Sequence, residues 1–194
     1  MSDAIDGTAR WSGEHWINYI RRPGELADSG SVSLFHTRYS EAGEGNVAFV
    51  DIPGAGLTAT CTDNRELAAW LFDLQIRGRG NQFDRDLPML DTQFWRGGDV
   101  RTDPSWRLEA GDHELVSQWS GTEPAVIHWG PTPSGVPNMR IFALLFFTYE
   151  TSLTHNGTAI EGAAYTRDIW KPTIGGNRSS CVFALGETTF RVPE

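Results

Sequence analysis

The chain is poor in cysteine, with two in 194 residues, Cys61 and Cys181. In a cytosolic protein of this size, two such thiols are expected to be free and partly buried. It has no basic excess. A net charge of −9 and a pI near 5.0 argue against a nucleic-acid partner, which needs a positive footprint. Residues 1–10 are polar and acidic, with no apolar core of a secretory leader. The longest apolar run, residues 141–147, is too short to span a bilayer. No repeat, low-complexity tract or linker interrupts the chain. The expectation is one cytoplasmic domain over residues 1–194, with neither nucleic acid nor membrane as partner.

Familiar catalytic signatures are missing too. There is no Gly-x-Ser-x-Gly elbow, no Walker loop, and no Gly-x-Gly-x-x-Gly after a strand. His-x-His, His-Glu-x-x-His and Cys-x-x-Cys are absent, so neither a metal nor a cofactor is expected. Neither cysteine has a neighbour that would activate a thiolate.

What the chain does have is aromatic residues, 8 Trp and 10 Phe. They supply either a packed core or the walls of an apolar pocket.

The central stretch is 139–190. Asn156-Gly157 separates two strand-like runs, 141–155 and 158–170, and an Asn-Gly pair suits a type I′ hairpin turn. A two-residue loop sets Glu150 opposite Ala163, Phe146 opposite Arg167 and Leu145 opposite Asp168. Both faces are apolar near 142–147, so this hairpin should be covered on both sides. Charges on a covered strand need partners, which makes Arg167 and Asp168 either loop anchors or parts of a polar site.

Upstream, Ser12 can cap a helix over 13–22 that ends at Pro23, with Trp16, Ile17 and Ile20 on one face. Strands are expected at 31–39, 46–52 and 57–62. Asp63-Asn-Arg-Glu66 reads as a capping box opening an amphipathic helix near 63–77, with Gly78 as its stop. Further strands fall at 90–96, 100–109, 114–120, 125–129 and 178–190. About ten short strands with Gly-rich turns predict an antiparallel β-barrel or strongly bent sheet. A cone-shaped α+β fold is the alternative.

A Trp-rich antiparallel barrel with scattered acid–base groups resembles, in broad architecture, the lipocalin-type or calycin-type folds. That resemblance implies either a binder of apolar ligands or a lyase, isomerase or cyclase that needs no cofactor. The function expected is acid–base chemistry on a small aromatic or polycyclic molecule, hydratase type included, in an aromatic-lined pocket. The alternative is a non-catalytic binder. His36 and His128 lie mid-strand and are the candidate bases. Glu150, Tyr165 and Arg167 complete the candidate catalytic set. Trp129, Trp170, Phe146, Arg38 and Asp168 are the candidate substrate contacts. His15 and His155 read as surface residues. Strand edges also allow a homodimer.

Overall fold

A computed structural model describes residues 7–132 and 136–193. Alternating and doubly apolar runs make most of this chain strand, 57% against 10% helix. A meander comes first: β1 (Thr8–Ile20), β2 (Gly30–Ser40), β3 (Gly45–Ile52) and β4 (Leu57–Thr62). Helix α1 (Arg65–Leu71) follows and ends in a π-helical turn, Phe72–Ile76. Then come β5 (Met89–Asp91), β6 (Gln93–Gly97), β7 (Ser105–Ala110), β8 (His113–Thr122) and β9 (Val126–Pro131). The chain closes with β10 (Met139–His155), β11 (Thr158–Ala159), β12 (Thr166–Arg167), α2 (Lys171–Ile174), β13 (Arg178–Ser179) and β14 (Cys181–Arg191).

The main sheet runs β5-β4-β3-β2-β1-β14-β10-β8-β7-β6, with β9 and β11 also on β10. Its two ends are neighbours in sequence, since Thr92 alone separates β5 from β6. One continuous stretch thus pairs with β4 on one side and with β7 on the other, and the sheet becomes a nearly closed barrel. Counted with that stretch as one strand, the ring of described strands is odd. An odd ring cannot alternate direction throughout, so one contact must be parallel, and it is β4–β5. This calycin-like barrel is the fold class the sequence led us to expect.

Aromatic side chains fill the interior. The Trp16 ring stacks on Phe183 at 4.5 Å, with Trp119 at 5.2 Å and Trp106 at 6.2 Å. All four are buried. Asn18 crosses the interior to donate to Ser117 Oγ at 2.8 Å. One end is closed by the buried carboxylate of Glu14, which accepts from Trp16 Nε1 at 3.1 Å and Arg96 at 3.0 Å. Outside the wall, α1 lays Leu67, Ala68 and Leu71 over Phe35, Val47 and Phe49. A separate outer layer packs Trp170 against Ile141, Leu145, Phe147 and Val182.

Three expectations are corrected. The helix over 13–22 is strand β1. Trp16 and Ile20 enter the barrel while Ile17 and Tyr19 pack outside, so both faces are apolar and a helical stripe is mimicked. Ser12 does not cap a helix; its hydroxyl meets Thr188 Oγ1 at 2.9 Å.

The Asn156-Gly157 turn forms, with φ of 48° and 74°, but its second strand stops at Ala159. The edges of β10 are already taken by β14 on one side and by β8 and β9 on the other. Phe146 therefore faces Phe183, Leu145 faces Ala184 and Glu150 faces Ser120.

The helix near 63–77 forms, yet its cap is Asn64, which accepts from Leu67 N at 3.1 Å. Asp63 instead binds the backbone and side-chain nitrogens of Asn46, at 2.7 and 2.6 Å.

Truncating the central ring should be expensive. Trp16→Ala is expected to lower the unfolding free energy by about 3–5 kcal/mol. Trp129→Ala, at an exposed position, should cost under about 1 kcal/mol. Urea denaturation of the two variants checks this.

Candidate functional site

Aromatic residues pack the interior, and the candidate space for a ligand lies outside the wall. A cavity of about 410 Å³ sits on the outer face of β1, β14 and β10. That volume falls within the range of about 300–1,000 Å³ usual for small-molecule sites. Register builds its floor: His15 aligns with Ala184 and Leu145 in one row, and Ile17 with Val182 in the next. The π-helical turn lends Gln75, the loop after it lends Arg79 and Gln82, and the segment before α2 lends Ile169 and Trp170.

The polar corner depends on a bulge. In β14 the side chains of Val182 and Ala184 point outward, and simple alternation would turn Glu187 inward. The register against β1 slips between Gly13 and His15, leaving Leu185-Gly186 as the extra length. Glu187 is thereby carried to the outer face beside His15. Gly13 permits the close packing there, since a Cβ would stand 2.2 Å from the His36 carbonyl oxygen.

His15 is held on three sides. Its ring stacks on Phe35 at 4.0 Å, and Nε2 meets Ser33 Oγ at 2.9 Å. Nδ1 lies 3.7 Å from Glu187 Oε2, beyond hydrogen-bond reach, and Glu187 is 5% exposed. Ser33, His15 and Glu187 have the order of a nucleophilic triad. Ser33 is buried and does not line the cavity, so it holds the imidazole rather than attacking anything.

Tyr19 lines the same cavity, and burial pushes its phenol up to about 12 despite the neighbouring Arg167. The Arg167 guanidinium stands over the Tyr19 ring at 5.0 Å. Three buried polar atoms on cavity-lining residues have no hydrogen-bond partner: Arg79 Nε, Gln82 Nε2 and Thr189 Oγ1.

Of the residues expected from sequence, Arg167, Trp170 and the backbone around them reach this cavity; the others do not converge on it. His36 bonds Asn46 Oδ1 at 2.8 Å near the barrel end, on a separate shallow surface. His128 is buried behind Trp170 and donates Nε2–H to the Pro131 carbonyl at 3.1 Å. Burial and a hydrogen bond with Asp28 raise the Tyr165 phenol, and Arg21 covers its ring at 3.8 Å. Glu150 is exposed. Phe146 stacks on Phe183 at 5.1 Å. Trp129 stacks on Phe190 at 5.0 Å, and Arg38 reaches Glu14 at 3.4 Å. Asp168 accepts from Asn177 N at 3.3 Å and anchors its loop.

His15, Ser33, Glu187, Tyr19 and Arg79 were missed. Reading 8–20 as a strand would have placed His15, Ile17 and Tyr19 on one face.

No protein-family model matches the chain, and no curated protein matches it. Among the described residues no cluster of three or more His, Cys, Asp or Glu could hold a metal. No described helix is long and apolar enough to cross a membrane.

Both cysteines are free and buried, and burial pushes each thiol up to about 11. Neither should react with iodoacetamide in the native protein at pH 8, and both should react in urea. Mass spectrometry of the alkylated protein reads this out.

Elsewhere, His113 Nδ1 and His155 Nε2 share a hydrogen bond of 2.9 Å. Burial, then the nearby His113, lowers the His155 pKa from its ordinary 6.5. His155 therefore takes up its proton less readily folded than unfolded, and stability is lost as the pH falls through the unfolded value. Thermal melts between about pH 7.5 and 5.5 should show a larger drop for wild type than for His155→Gln.

Proposed function

We propose that the cavity binds a small, largely apolar molecule and that His15 acts on it as a general base, in chemistry that needs no cofactor. Of the five histidines, His15 alone lines the cavity. In the tautomer that donates Nε2–H to Ser33 Oγ, Nδ1 keeps its lone pair, and Glu187 Oε2 at 3.7 Å is too far to hydrogen-bond it. The Glu187 carboxylate at 3.7 Å stabilises the imidazolium that proton uptake creates. Tyr19, protonated across the working pH range, can donate to an oxygen on the substrate. Reactions of this class include elimination, isomerisation, hydration and cyclisation. The observation that carries the reading is this oriented imidazole backed by a buried carboxylate, set in an otherwise apolar floor.

A second reading is a non-catalytic binder. It is favoured by the engagement of Nε2 with buried Ser33, which leaves one ring nitrogen available.

Trp170 reports on both readings. A panel of small aromatic and polycyclic compounds should quench its fluorescence saturably. His15→Gln is expected to keep the affinity within about threefold and to lower turnover by about 10²–10⁴-fold. Binding in both proteins, with no turnover of any bound compound in either, would leave only the binder.

A further inference from the structure

We infer that the ligand of this cavity carries a carboxylate, recognised by Arg79 and Arg167; the inference rests on the reading that the cavity is the binding site. Arginines in this protein are as a rule paired. Arg10 bonds Glu41, Arg21 bonds Asp28, Arg65 bonds Asp91 and Arg85 bonds Asp51. Among the described residues, Arg140 and Arg191 have no such partner but stand in solvent, and Arg178, half-buried away from the cavity, has the Ile174 carbonyl at 3.0 Å and the Phe147 ring instead of a carboxylate. Arg79 and Arg167 are different. Both are half-buried, both line the cavity, and neither has a carboxylate partner among the described residues.

A guanidinium drawn out of water against an apolar floor is unfavourable unless an anion or a set of acceptors meets it. The acceptors present are few. Arg79 Nη2 donates to the Leu74 carbonyl at 2.9 Å, while its Nε has no partner. Arg167 has the Tyr19 ring face at 5.0 Å, a weaker contact than a carboxylate would make. Beside Arg79, Gln82 holds a further unpartnered donor at Nε2. These are the donor types that take a planar carboxylate, with its two acceptor oxygens. Among the described residues, the one carboxylate lining the cavity, Glu187, lies beside His15 and is bonded to neither arginine. The rest of the ligand is set by the floor of Ile17, Ile141, Leu145, Val182 and Ala184, which demands an apolar body.

Three ligands of one shape test this: 2-naphthylacetate, 2-naphthylethanol and 2-naphthylethylamine, titrated by calorimetry against the full chain at pH 7.5. The acid should bind at least about tenfold more tightly than the alcohol, and the amine most weakly. Arg79→Gln and Arg167→Gln should each narrow the gap between acid and alcohol while leaving the alcohol's affinity near that of wild type. Circular dichroism confirms that each variant is folded. If a variant fails to fold, the order of the three ligands on wild type still decides. Equal binding of acid and alcohol would overturn the carboxylate assignment and leave the cavity reading intact. A gap that survives in folded forms of both variants would overturn it as well, because the anion would then be held elsewhere. Absence of binding by all three would sink the cavity reading and this inference together.

Discussion

The stack of Trp16 on Phe183 decides where everything else can go. With Trp106 and Trp119 packed around it, aromatic rings occupy the middle of the barrel. Protein interiors are close-packed, and a filled barrel of this width behaves as a core rather than a container. The described cavity accordingly lies on the outside. The outer faces of β1, β14 and β10 are themselves apolar, so they too need covering. Two separate covers meet that need: α1 with its following loop, and the segment carrying Trp170. The cavity is the gap between them.

The seam of the barrel is the second constraint. Met89–Gly97 serves both edges, and each half has only a few ladder bonds. Glu14 reinforces the closure, because it collects Arg38 from β2 and Arg96 from β6 on one carboxylate. A buried ion group of this sort adds little net stability as a set. Removing one member, however, leaves a charge stranded, so the group specifies which strands meet more than it strengthens them. That is consistent with its place at the barrel end, where the packed rings stop.

Much of the fold was legible in the residues because short strands with Gly and Asn turns leave a strong local signal. Leu57–Thr62 forms as read, and the turn at Asn156-Gly157 has the positive φ angles its residues favour. The failures have two causes. Period-based reading assumes that one face is wet, and in β1 neither is. Trp16, Ile17 and Ile20 then satisfy a helical spacing as well as a strand's. The hairpin after Gly157 failed differently. Local turn chemistry cannot show that β14, which begins at Cys181, competes for the same edge of β10 and pairs with nine of its residues. The shift of the cap from Asp63 to Asn64 is of the same kind, since Asp63 is drawn off by Asn46 from another strand.

The candidate site was less legible than the fold, and the bulge in β14 explains why. Strict alternation in 181–191 sends Glu187 into the barrel, where it would look like one more buried charge needing a partner. The extra length at Leu185-Gly186 reverses that parity over a single step. Ala184 and Glu187 then share the outer face, and His15 from the neighbouring strand is aligned with the first and within 3.7 Å of the second. A bulge disrupts the ladder locally and would not persist in a two-sided wall without some gain. Its effect here is to set the Glu187 carboxylate 3.7 Å from the histidine that faces the cavity. Bulges that re-aim a side chain are over-represented beside active sites, and that is the physical support for the His15 corner as the candidate site.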